Sequence, residues 1–206
     1  MLVDNAIADY LDKAAAGTAV PGGGSVAALN AALAAGLTEM VANLTIGKKG
    51  YESVEAEMKA LAEKASQLRT KLTAAIDRDA DAYTEVMAAY KLPKATDEES
   101  AVRAQKIQDA IRQAALVPLA VARDALAVIE LAGQAIGKGN KNAASDGAVA
   151  AMNARTGALA AIYNVKINLG SIDDDSFVDK LAREVKELET RVVEKEKETL
   201  SYVKFS

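Results

Sequence analysis

The feature that most constrains this chain is an apolar content made mainly of small and branched aliphatic residues at helical spacing. Hydrophobic residues make up 50% of the 206 positions, aromatic residues only 4%, and proline occurs 3 times. Much of the apolar content is alanine, which has the highest helix propensity and lets helices approach closely. The sequence therefore predicts an all-α protein with dense helix–helix packing.

The apolar residues group into about six helical segments. Thr96 and Glu99 form a capping-box pattern at the start of the fourth segment, and Pro118 inside it predicts a kink or a break. We expect a single domain over residues 1–206, folded as a bundle that includes long antiparallel helices. The predicted helices cover residues 4–16, 26–47, 52–90, 96–133 and 145–169, and the last one begins at 171–175.

Two of these predicted helices are apolar around much of their circumference, near residues 27–37 and 148–161. Helices of this kind are buried on several sides. In a chain of this size a partner subunit often covers one of them, so we expect a homodimer.

The residue types that are missing limit the chemistry. The chain has no histidine and no cysteine, which excludes Ser-His-Asp and Cys-His catalysis and zinc sites built from these residues. A carboxylate site for a hard cation stays open. Acid–base catalysis falls to Asp, Glu, Lys or Tyr, or to the substrate itself.

Charge and hydropathy limit the partners and the location. The net charge of −4 lacks the basic surplus of a nucleic-acid-binding domain. The first residues show no signal-peptide pattern, and no run of 18 apolar residues is free of polar breaks. We expect a cytoplasmic protein with neither a nucleic-acid nor a membrane partner.

The segment PGGGS, residues 21–25, precedes the second predicted helix. Consecutive glycines let the backbone approach a ligand and direct N–H groups at an anion or a carbonyl, and the helix dipole adds attraction. The alternative is a flexible connection in which Ser25 caps the helix. Neither a preceding strand nor a GKS or GKT motif is present, so this is not a nucleotide-binding loop. The candidate binding residues are Gly22, Gly23, Gly24 and Ser25.

Three aspartates alternate along the third predicted helix, at Asp77, Asp79 and Asp81. Helical positions two apart point in different directions, so the three cannot share one face. Asp79 lies three residues after Ile76 and four before Tyr83, which places it near the buried side, whereas Asp77 and Asp81 lean towards solvent. A carboxylate near a core must be paired, lie in a cleft or have a shifted pKa. The alternative is a surface patch answered by basic neighbours on the same helix.

A second glycine-rich connection runs from Gly139 to Asp146. Asn140 or Asn142 has the amide needed to bond a substrate amide. Asp146 lies in the first turn of a helix, where the dipole favours its charge, and it is either a capping residue or a second catalytic carboxylate.

The lysines at positions 48 and 49 follow the end of the second predicted helix. They have the charge to bind a carboxylate tail. The alternative is a role as C-terminal partners of the helix dipole.

Five segments occur in a fixed order along the chain: PGGGSVAAL (21–29), NLTIGKKGY (43–51), the aspartate stretch (77–83), LPKATDEE (92–99) and GNKNAASD (139–146). Together they resemble the formiminotransferase-cyclodeaminase C-terminal family, which includes formiminotetrahydrofolate cyclodeaminases and stand-alone methenyltetrahydrofolate cyclohydrolases. The resemblance extends from about Leu2 to the final helix, and the second and fourth segments are most similar to the stand-alone cyclohydrolases.

The resemblance implies a helical homodimer that binds a reduced folate in a cleft. It implies that Asp79 is the catalytic aspartate, with Asp146 as the second carboxylate, and that Lys48 and Lys49 meet the folate glutamate tail. No role is carried onto Lys141, Asn142 or Ala143. The residues implied to line the pocket are Gly22, Gly23, Gly24, Ser25, Gly139, Asn140 and Ser145.

The expected activity is hydrolysis of 5,10-methenyltetrahydrofolate to 10-formyltetrahydrofolate, without a metal or redox cofactor. One alternative is a cyclodeaminase that releases ammonia from formiminotetrahydrofolate. Another is a folate-binding or structural helical module without activity. A carboxylate–metal hydrolase is disfavoured because Asp77 and Asp79 diverge on a helix.

Overall fold

The computed structural model describes residues 1–204 and is built from α-helices, as the periodicity predicts. Over these residues the chain forms six α-helices and three single 3₁₀ turns, with no strand. The helices are α1 (Ile7–Ala15), α2 (Gly23–Asn43), α3 (Glu55–Tyr90), α4 (Asp97–Lys138), α5 (Ala144–Leu169) and α6 (Asp175–Ser201), and the 3₁₀ turns are Leu2–Asp4, Glu52–Val54 and Lys141–Ala143.

Side-chain caps define the starts of α4 and α6. The Thr96 hydroxyl accepts a hydrogen bond from the Glu99 backbone N–H, and the Glu99 carboxylate accepts one from the Thr96 N–H. This confirms the predicted capping box. Asp174 caps α6 by accepting from the Phe177 N–H at 3.1 Å.

Pro118 lies inside α4 and does not end it, so the helix runs unbroken to Lys138. A proline at this position leaves the carbonyl of Ala114, four residues earlier, without its helical donor. The Asn168 side chain of α5 donates to that carbonyl at 3.0 Å. The hydrogen bond missing within α4 is thus replaced by one that joins α4 to α5.

Alanines form the buried face of α2, where Ala27, Ala28 and Ala31 have no exposed surface. Gly157 of α5 packs directly on this face, because a Cβ there would lie 2.8 Å from the Ala27 carbonyl oxygen and 2.9 Å from the Ala31 nitrogen. Small residues on both helices therefore allow a close approach, as the composition predicts.

Several of the larger apolar residues of α2, together with Leu44 directly after it, lie on its outer face. Leu33 is 55% exposed, Met40 36% and Leu44 48%. Helical spacing alone would place these residues together on one apolar stripe facing the core, but in the structure alanines take many of the core positions instead. Where Gly157 of α5 packs on α2, the close approach leaves room only for small side chains, whereas Val41, near the C-terminal end of α2, is fully buried.

The same exchange occurs near the C-terminal end of α3. Tyr83 and Met87 follow Ile76 at helical spacing and would be expected to share its buried face, but they are 42% and 39% exposed. Ala82 and Ala89 are the buried residues there. In this last part of α3, alanine therefore marks the core side better than the large apolar residues do.

By length and composition α2 is the one helix within residues 1–204 that is apolar enough to cross a membrane. Of its most apolar window, 56% is buried inside the bundle. A central helix of a packed bundle meets the same criterion.

Candidate active site

Asp79 of α3 lies at the N-terminal end of α2, which the glycine-rich segment introduces. The Ser25 hydroxyl lies 3.1 Å from Asp79 Oδ2 and 3.0 Å from the Ile76 carbonyl oxygen, and donates towards both. Ser25 is fully buried and Asp79 half-buried. The first glycine-rich segment and the central aspartate, both predicted as site residues, are therefore brought together.

Gly24 is the residue that allows this contact. A Cβ at position 24 would lie 1.9 Å from Asp79 Oδ1 and 2.5 Å from its carboxyl carbon. Real Cβ contacts are never this short, so only glycine lets the carboxylate lie directly against the helix backbone.

The environment of Asp79 makes it a carboxylate that can accept a proton. Burial raises the pKa of Asp79, while hydrogen bonds from the Ser25 side chain and backbone act in the opposite direction. The first N–H groups of α2 have no intrahelical partner and attract negative charge. These donors keep the ionised form accessible in spite of burial.

In the part of the chain that the structure describes, Asp79 forms no ion pair. Lys71, the nearest lysine before it on α3, pairs with Asp124 of α4 at 2.7 Å. Arg78 donates to the Lys71 carbonyl at 3.0 Å. The alternative of a surface patch answered by these two residues is therefore wrong for Asp79.

The outer two aspartates differ from each other. Asp81 is exposed, as predicted, but Asp77 is half-buried. Asp77 Oδ1 accepts a hydrogen bond from the Leu2 N–H. The prediction of a solvent-facing Asp77 is wrong because the 3₁₀ turn Leu2–Asp4 packs on α3 and covers it.

Asn164 of α5 is a residue at this site that the sequence interpretation missed. Its Nδ2 would lie 3.3 Å from a Cβ at Gly23, and this nitrogen donates to the Ala160 carbonyl at 2.9 Å. The side-chain amide therefore lies against the glycine segment. A polar residue in an otherwise apolar part of the helix, AAIYNV, is the signal that identifies it.

An apolar cavity of about 560 Å³ opens between α1, α2 and α3. Ile76, about one turn before Asp79 on α3, is one of its lining residues, whereas Asp79 itself is not. Its volume falls within the range of small-molecule sites. Its other lining residues are Leu2, Val3, Asn5, Ile7, Tyr10, Leu11, Leu29, Ala32, Leu33, Gly36, Leu37, Met40, Arg69 and Thr73.

The second glycine-rich connection lies at the opposite end of α2. The Asn140 backbone N–H donates to Thr45 Oγ1 at 2.8 Å, and its side-chain amide donates to the Leu44 carbonyl at 3.2 Å. Asn140 Oδ1 accepts from the Asn142 N–H at 3.1 Å. Asn140 is buried, and these bonds fasten the α4–α5 connection to the end of α2.

Gly139 is also required by a close contact, but with backbone. A Cβ there would lie 2.4 Å from the Ala135 carbonyl oxygen and 2.9 Å from Thr45 Oγ1. Ser145 is exposed, and Asp146 is half-buried in the first turn of α5.

Lys48 and Lys49 are exposed in the turn after α2. Two glycines with positive φ flank them, Gly47 at 71° and Gly50 at 91°. These left-handed conformations favour glycine and shape the turn that presents the lysines.

A single chain does not bring the two groups of predicted site residues together. α2 has 21 residues, which at 1.5 Å per residue separate its ends by roughly 30 Å. Asp79, Gly22, Gly23, Gly24 and Ser25 lie at one end. At the other end lie Lys48, Lys49, Gly139, Asn140, Ser145 and Asp146, whose substrate-binding and catalytic roles stay predictions.

Within residues 1–204, no three acidic side chains converge in a way that would hold a metal ion. The expectation of a reaction without metal stays a prediction.

The sequence profile of the family described as formiminotransferase-cyclodeaminase matches residues 6–187. A methenyltetrahydrofolate cyclohydrolase of Methylorubrum extorquens is 45% identical over 91% of this chain and 90% of its own length. The mouse formimidoyltransferase-cyclodeaminase is 36% identical over 91% of this chain, which spans only 35% of that longer protein.

A solved structure leads to the same family. The crystal structure of a formiminotetrahydrofolate cyclodeaminase from Thermotoga maritima superposes with a TM-score of 0.88, at 32% identity, over 98% of both chains. The fold and the sequence thus agree, and the chain belongs to the formiminotransferase-cyclodeaminase family.

Proposed function

We propose that this chain is a methenyltetrahydrofolate cyclohydrolase, which converts 5,10-methenyltetrahydrofolate to 10-formyltetrahydrofolate in one-carbon metabolism. The observation that carries the proposal is the Asp79 carboxylate, held at the start of α2 by Ser25 and Gly24 without a cationic partner within residues 1–204. The 45% identity to a cyclohydrolase over most of both chains supports it.

The substrate carbon is already activated, because the methenyl bridge is part of a cationic amidine. A positioned water and a general base are sufficient for attack on such a carbon. Asp79 takes one proton from the water while the C–O bond forms, and the electron pair of the C=N bond moves to nitrogen. The same carboxylate stabilises the positive charge of the bound substrate.

Ring opening follows by cleavage of the bond between this carbon and N5. The proton held by Asp79 passes to N5 as the bond breaks, and the hydroxyl loses its proton as the formyl C=O forms. The formyl group remains on N10, and one proton is released overall. We propose that no metal or redox cofactor takes part.

The folate is proposed to bind in the apolar cavity, with its reacting end towards Asp79. The cavity is lined mainly by aliphatic side chains, which suit a ring system. The Asn164 amide lies against Gly23, in the same glycine segment that contacts Asp79 through Gly24 and Ser25.

The second candidate is the cyclodeaminase, favoured by the 0.88 TM-score to the Thermotoga maritima protein. In that reaction N10 attacks the formimino carbon instead of water, and ammonia leaves after protonation. Asp79 serves the same proton transfers in either case.

One experiment with two substrates separates these candidates. The purified chain is incubated with 5,10-methenyltetrahydrofolate, with the decay of its absorbance as the readout, and with formiminotetrahydrofolate, with ammonia as the readout. Faster decay than in buffer, without ammonia release, supports the cyclohydrolase. Ammonia release supports the cyclodeaminase. Folate binding without either reaction supports a folate-binding module that lacks activity. Loss of activity on adding a chelator would contradict the reaction without metal.

The functional protein is proposed to be a homodimer formed through the outer faces of α2 and α5. Besides Leu44, this surface exposes Val149 at 47%, Met152 at 47% and Tyr163 at 68%. Several large apolar side chains exposed on neighbouring helices are typical of an interface. A two-fold axis across α2 brings the Lys48 end of one chain close to the Asp79 of its partner, and so unites the two groups of site residues.

Sedimentation and subunit mixing test the dimer. A Met152→Glu, Tyr163→Glu chain is expected to sediment as a monomer, whereas a Val102→Glu control on α4 stays dimeric. If the site is shared, co-refolded Asp79→Asn and Lys48→Ala, Lys49→Ala chains regain activity that neither homodimer has. A monomeric wild type would contradict the dimer.

The same proposal places the protein in the cytoplasm, without a nucleic-acid or membrane partner. The net charge of −4 and the burial of much of α2 inside the bundle support this. Fractionation of cells that express a tagged chain tests the location, and recovery in the membrane pellet would contradict it.

A further inference from the structure

The side-chain amide of Asn164, on α5, has an oxygen that accepts no hydrogen bond within residues 1–204. Its Nδ2 donates to the Ala160 carbonyl at 2.9 Å, one turn earlier on the same helix. This bond fixes which end of the amide is the nitrogen, because only the nitrogen donates to a carbonyl. Asn164 Oδ1 is therefore a free acceptor, and it keeps surface that a ligand can reach.

Asn168, one turn later on α5, shows what a structural amide does in this bundle. Its Nδ2 donates to the Ala114 carbonyl of α4 at 3.0 Å and to the Asn164 carbonyl at 2.9 Å. The first of these bonds joins two helices. The side chain of Asn164 bonds only within its own helix, and a bond of that kind adds little to the stability of a fold. The structural role that explains Asn168 therefore does not explain Asn164.

The Asn164 amide lies beside Gly23, in the first turn of α2. Its Nδ2 would lie 3.3 Å, and its Oδ1 3.6 Å, from a Cβ at this position. Gly23 is exposed, so no packing in the core requires a glycine there. Glycine in a helix is destabilising relative to alanine, and it is typical of places where the backbone comes close to a ligand. Gly23 keeps the surface beside the amide open.

The same turn of α2 lies between Asn164 and Asp79. Asp79 Oδ1 would lie 1.9 Å from a Cβ at Gly24, and the Cβ positions of consecutive helical residues are about 5 Å apart. These contacts limit the separation of Asn164 Nδ2 and Asp79 Oδ1 to at most about 11 Å. A ligand of the size of a bicyclic ring can therefore contact both groups at once.

We propose, on the basis of the proposed function, that Asn164 Oδ1 accepts a hydrogen bond from the pteridine ring of the folate while Asp79 faces the bridging carbon. The ring has N–H donors on its amino group and its ring nitrogens, and a free carbonyl oxygen is complementary to them. The bond fixes the orientation of the ring, which places the bridging carbon at the carboxylate. Asn164 transfers no proton, so it is a residue for specificity and positioning.

The first test measures affinity, which does not depend on turnover. Asn164→Leu keeps the approximate size of the side chain and removes the acceptor. We expect the Kd for 5-formyltetrahydrofolate, a stable reduced folate, to rise about five- to fiftyfold in titration calorimetry, because a ring N–H loses its partner. The KM for the substrate should rise by a similar factor, and kcat should change less. Asn164→Asp, which keeps an acceptor, should bind within about twofold of wild type.

Asn30 of α2 provides the matched control. It is half-buried, and its Nδ2 donates to the Val26 carbonyl at 2.9 Å, so it makes the same bond within one helix. Asn30→Leu should lower the melting temperature as much as Asn164→Leu does and keep the wild-type affinity. Asn164→Asp places a carboxylate oxygen against the Ala160 carbonyl, so it should melt no higher than Asn164→Leu. Stability and affinity should therefore rank the two Asn164 variants differently.

The outcomes separate the two proposals. A wild type that binds 5-formyltetrahydrofolate but turns over neither folate contradicts the proposed function, while the affinities still test Asn164. An Asn164→Leu variant that binds within twofold of wild type would overturn the role of Asn164. Equal losses of affinity in Asn164→Leu and Asn164→Asp, or in Asn164→Leu and Asn30→Leu, would also overturn it, because they indicate a structural effect. A wild type that binds no reduced folate would contradict both proposals.

Discussion

The two ends of α2 both contain a glycine-rich connection, but they satisfy their polar groups in opposite ways. At the N-terminal end, Gly24 leaves room for the Asp79 carboxylate, whose charge has no basic partner in residues 1–204. At the C-terminal end, Gly139 leaves room for a backbone carbonyl, and the polar groups of Asn140 bond to Thr45, Leu44 and Asn142.

This difference separates a reactive site from a structural fastening. A glycine beside a carboxylate without a cation keeps a reactive group accessible, whereas a glycine beside bonded amides holds two helix ends together. Both connections are glycine-rich, so glycine content alone does not distinguish a reactive site from a structural contact. The hydrogen-bond partners of the neighbouring polar atoms do.

The largest expected effect comes from Asp79→Asn, which removes the base and keeps the shape of the side chain. Activity on methenyltetrahydrofolate should fall by about 10²- to 10⁴-fold, measured as the decay of substrate absorbance. Asp81→Asn, two residues along the same helix and exposed, should retain wild-type activity. Near-full activity in Asp79→Asn would contradict the role of Asp79 as the catalytic base.

Gly24→Ala should have the next largest effect. The added methyl would lie 1.9 Å from Asp79 Oδ1, so the carboxylate must move away from the helix. A misplaced catalytic group typically costs about a hundredfold in rate. Gly137→Ala, where a Cβ meets nothing within 4 Å, is the matched control, and equal rates for the two variants would contradict the contact.

At the other end, Thr45→Val should affect stability more than catalysis. It leaves the buried Asn140 N–H without its acceptor, at a cost of about 1–3 kcal/mol. We expect a lower melting temperature by calorimetry, with kcat per folded molecule and KM nearly unchanged. An increase in KM without any loss of stability would instead support the predicted contact of this connection with substrate.

The smallest expected effect is on the pH dependence of stability. Burial raises the pKa of Asp79 above its value in the unfolded chain, so ionisation costs folding free energy as the pH rises through the folded pKa. Asp79→Asn should therefore melt at a higher temperature than wild type at neutral pH. This gain should vanish below the ordinary carboxyl pKa of about 3.9, and Asp81→Asn should show none. A less stable Asp79→Asn at neutral pH would contradict a carboxylate destabilised by burial.

The sequence predicts the fold well because helical spacing, the capping box at Thr96 and the breaks between helices are local signals. It also predicts correctly that Asp79 lies near the buried side of α3, because Ile76, three residues earlier on the same helix, is buried. The prediction that Asp77 faces solvent is wrong because the segment that packs on it contains Leu2, which is distant in sequence. Likewise, only the packing of α2 shows that its alanines, and not Leu33, face the core.

The site shows the same limit. The closeness of Gly24 to Asp79 joins residues that are 55 positions apart, and no local pattern measures that distance. The resemblance to a family groups both glycine-rich connections around one ligand. Within one chain the two connections are separated by the length of α2, and no local sequence pattern contains that separation.

Pro118 makes the stability of α4 depend on the packing of α5. The proline cannot donate to the Ala114 carbonyl, which accepts a hydrogen bond from the Asn168 side chain of α5. An isolated α4 would therefore have a weak point in its middle, which docking of α5 repairs. We therefore expect the formation of the middle of α4 and its packing against α5 to be cooperative. The Asn168 amide also donates to the Asn164 carbonyl, so this cooperative unit extends to the helix turn that lies against the glycine segment of the site.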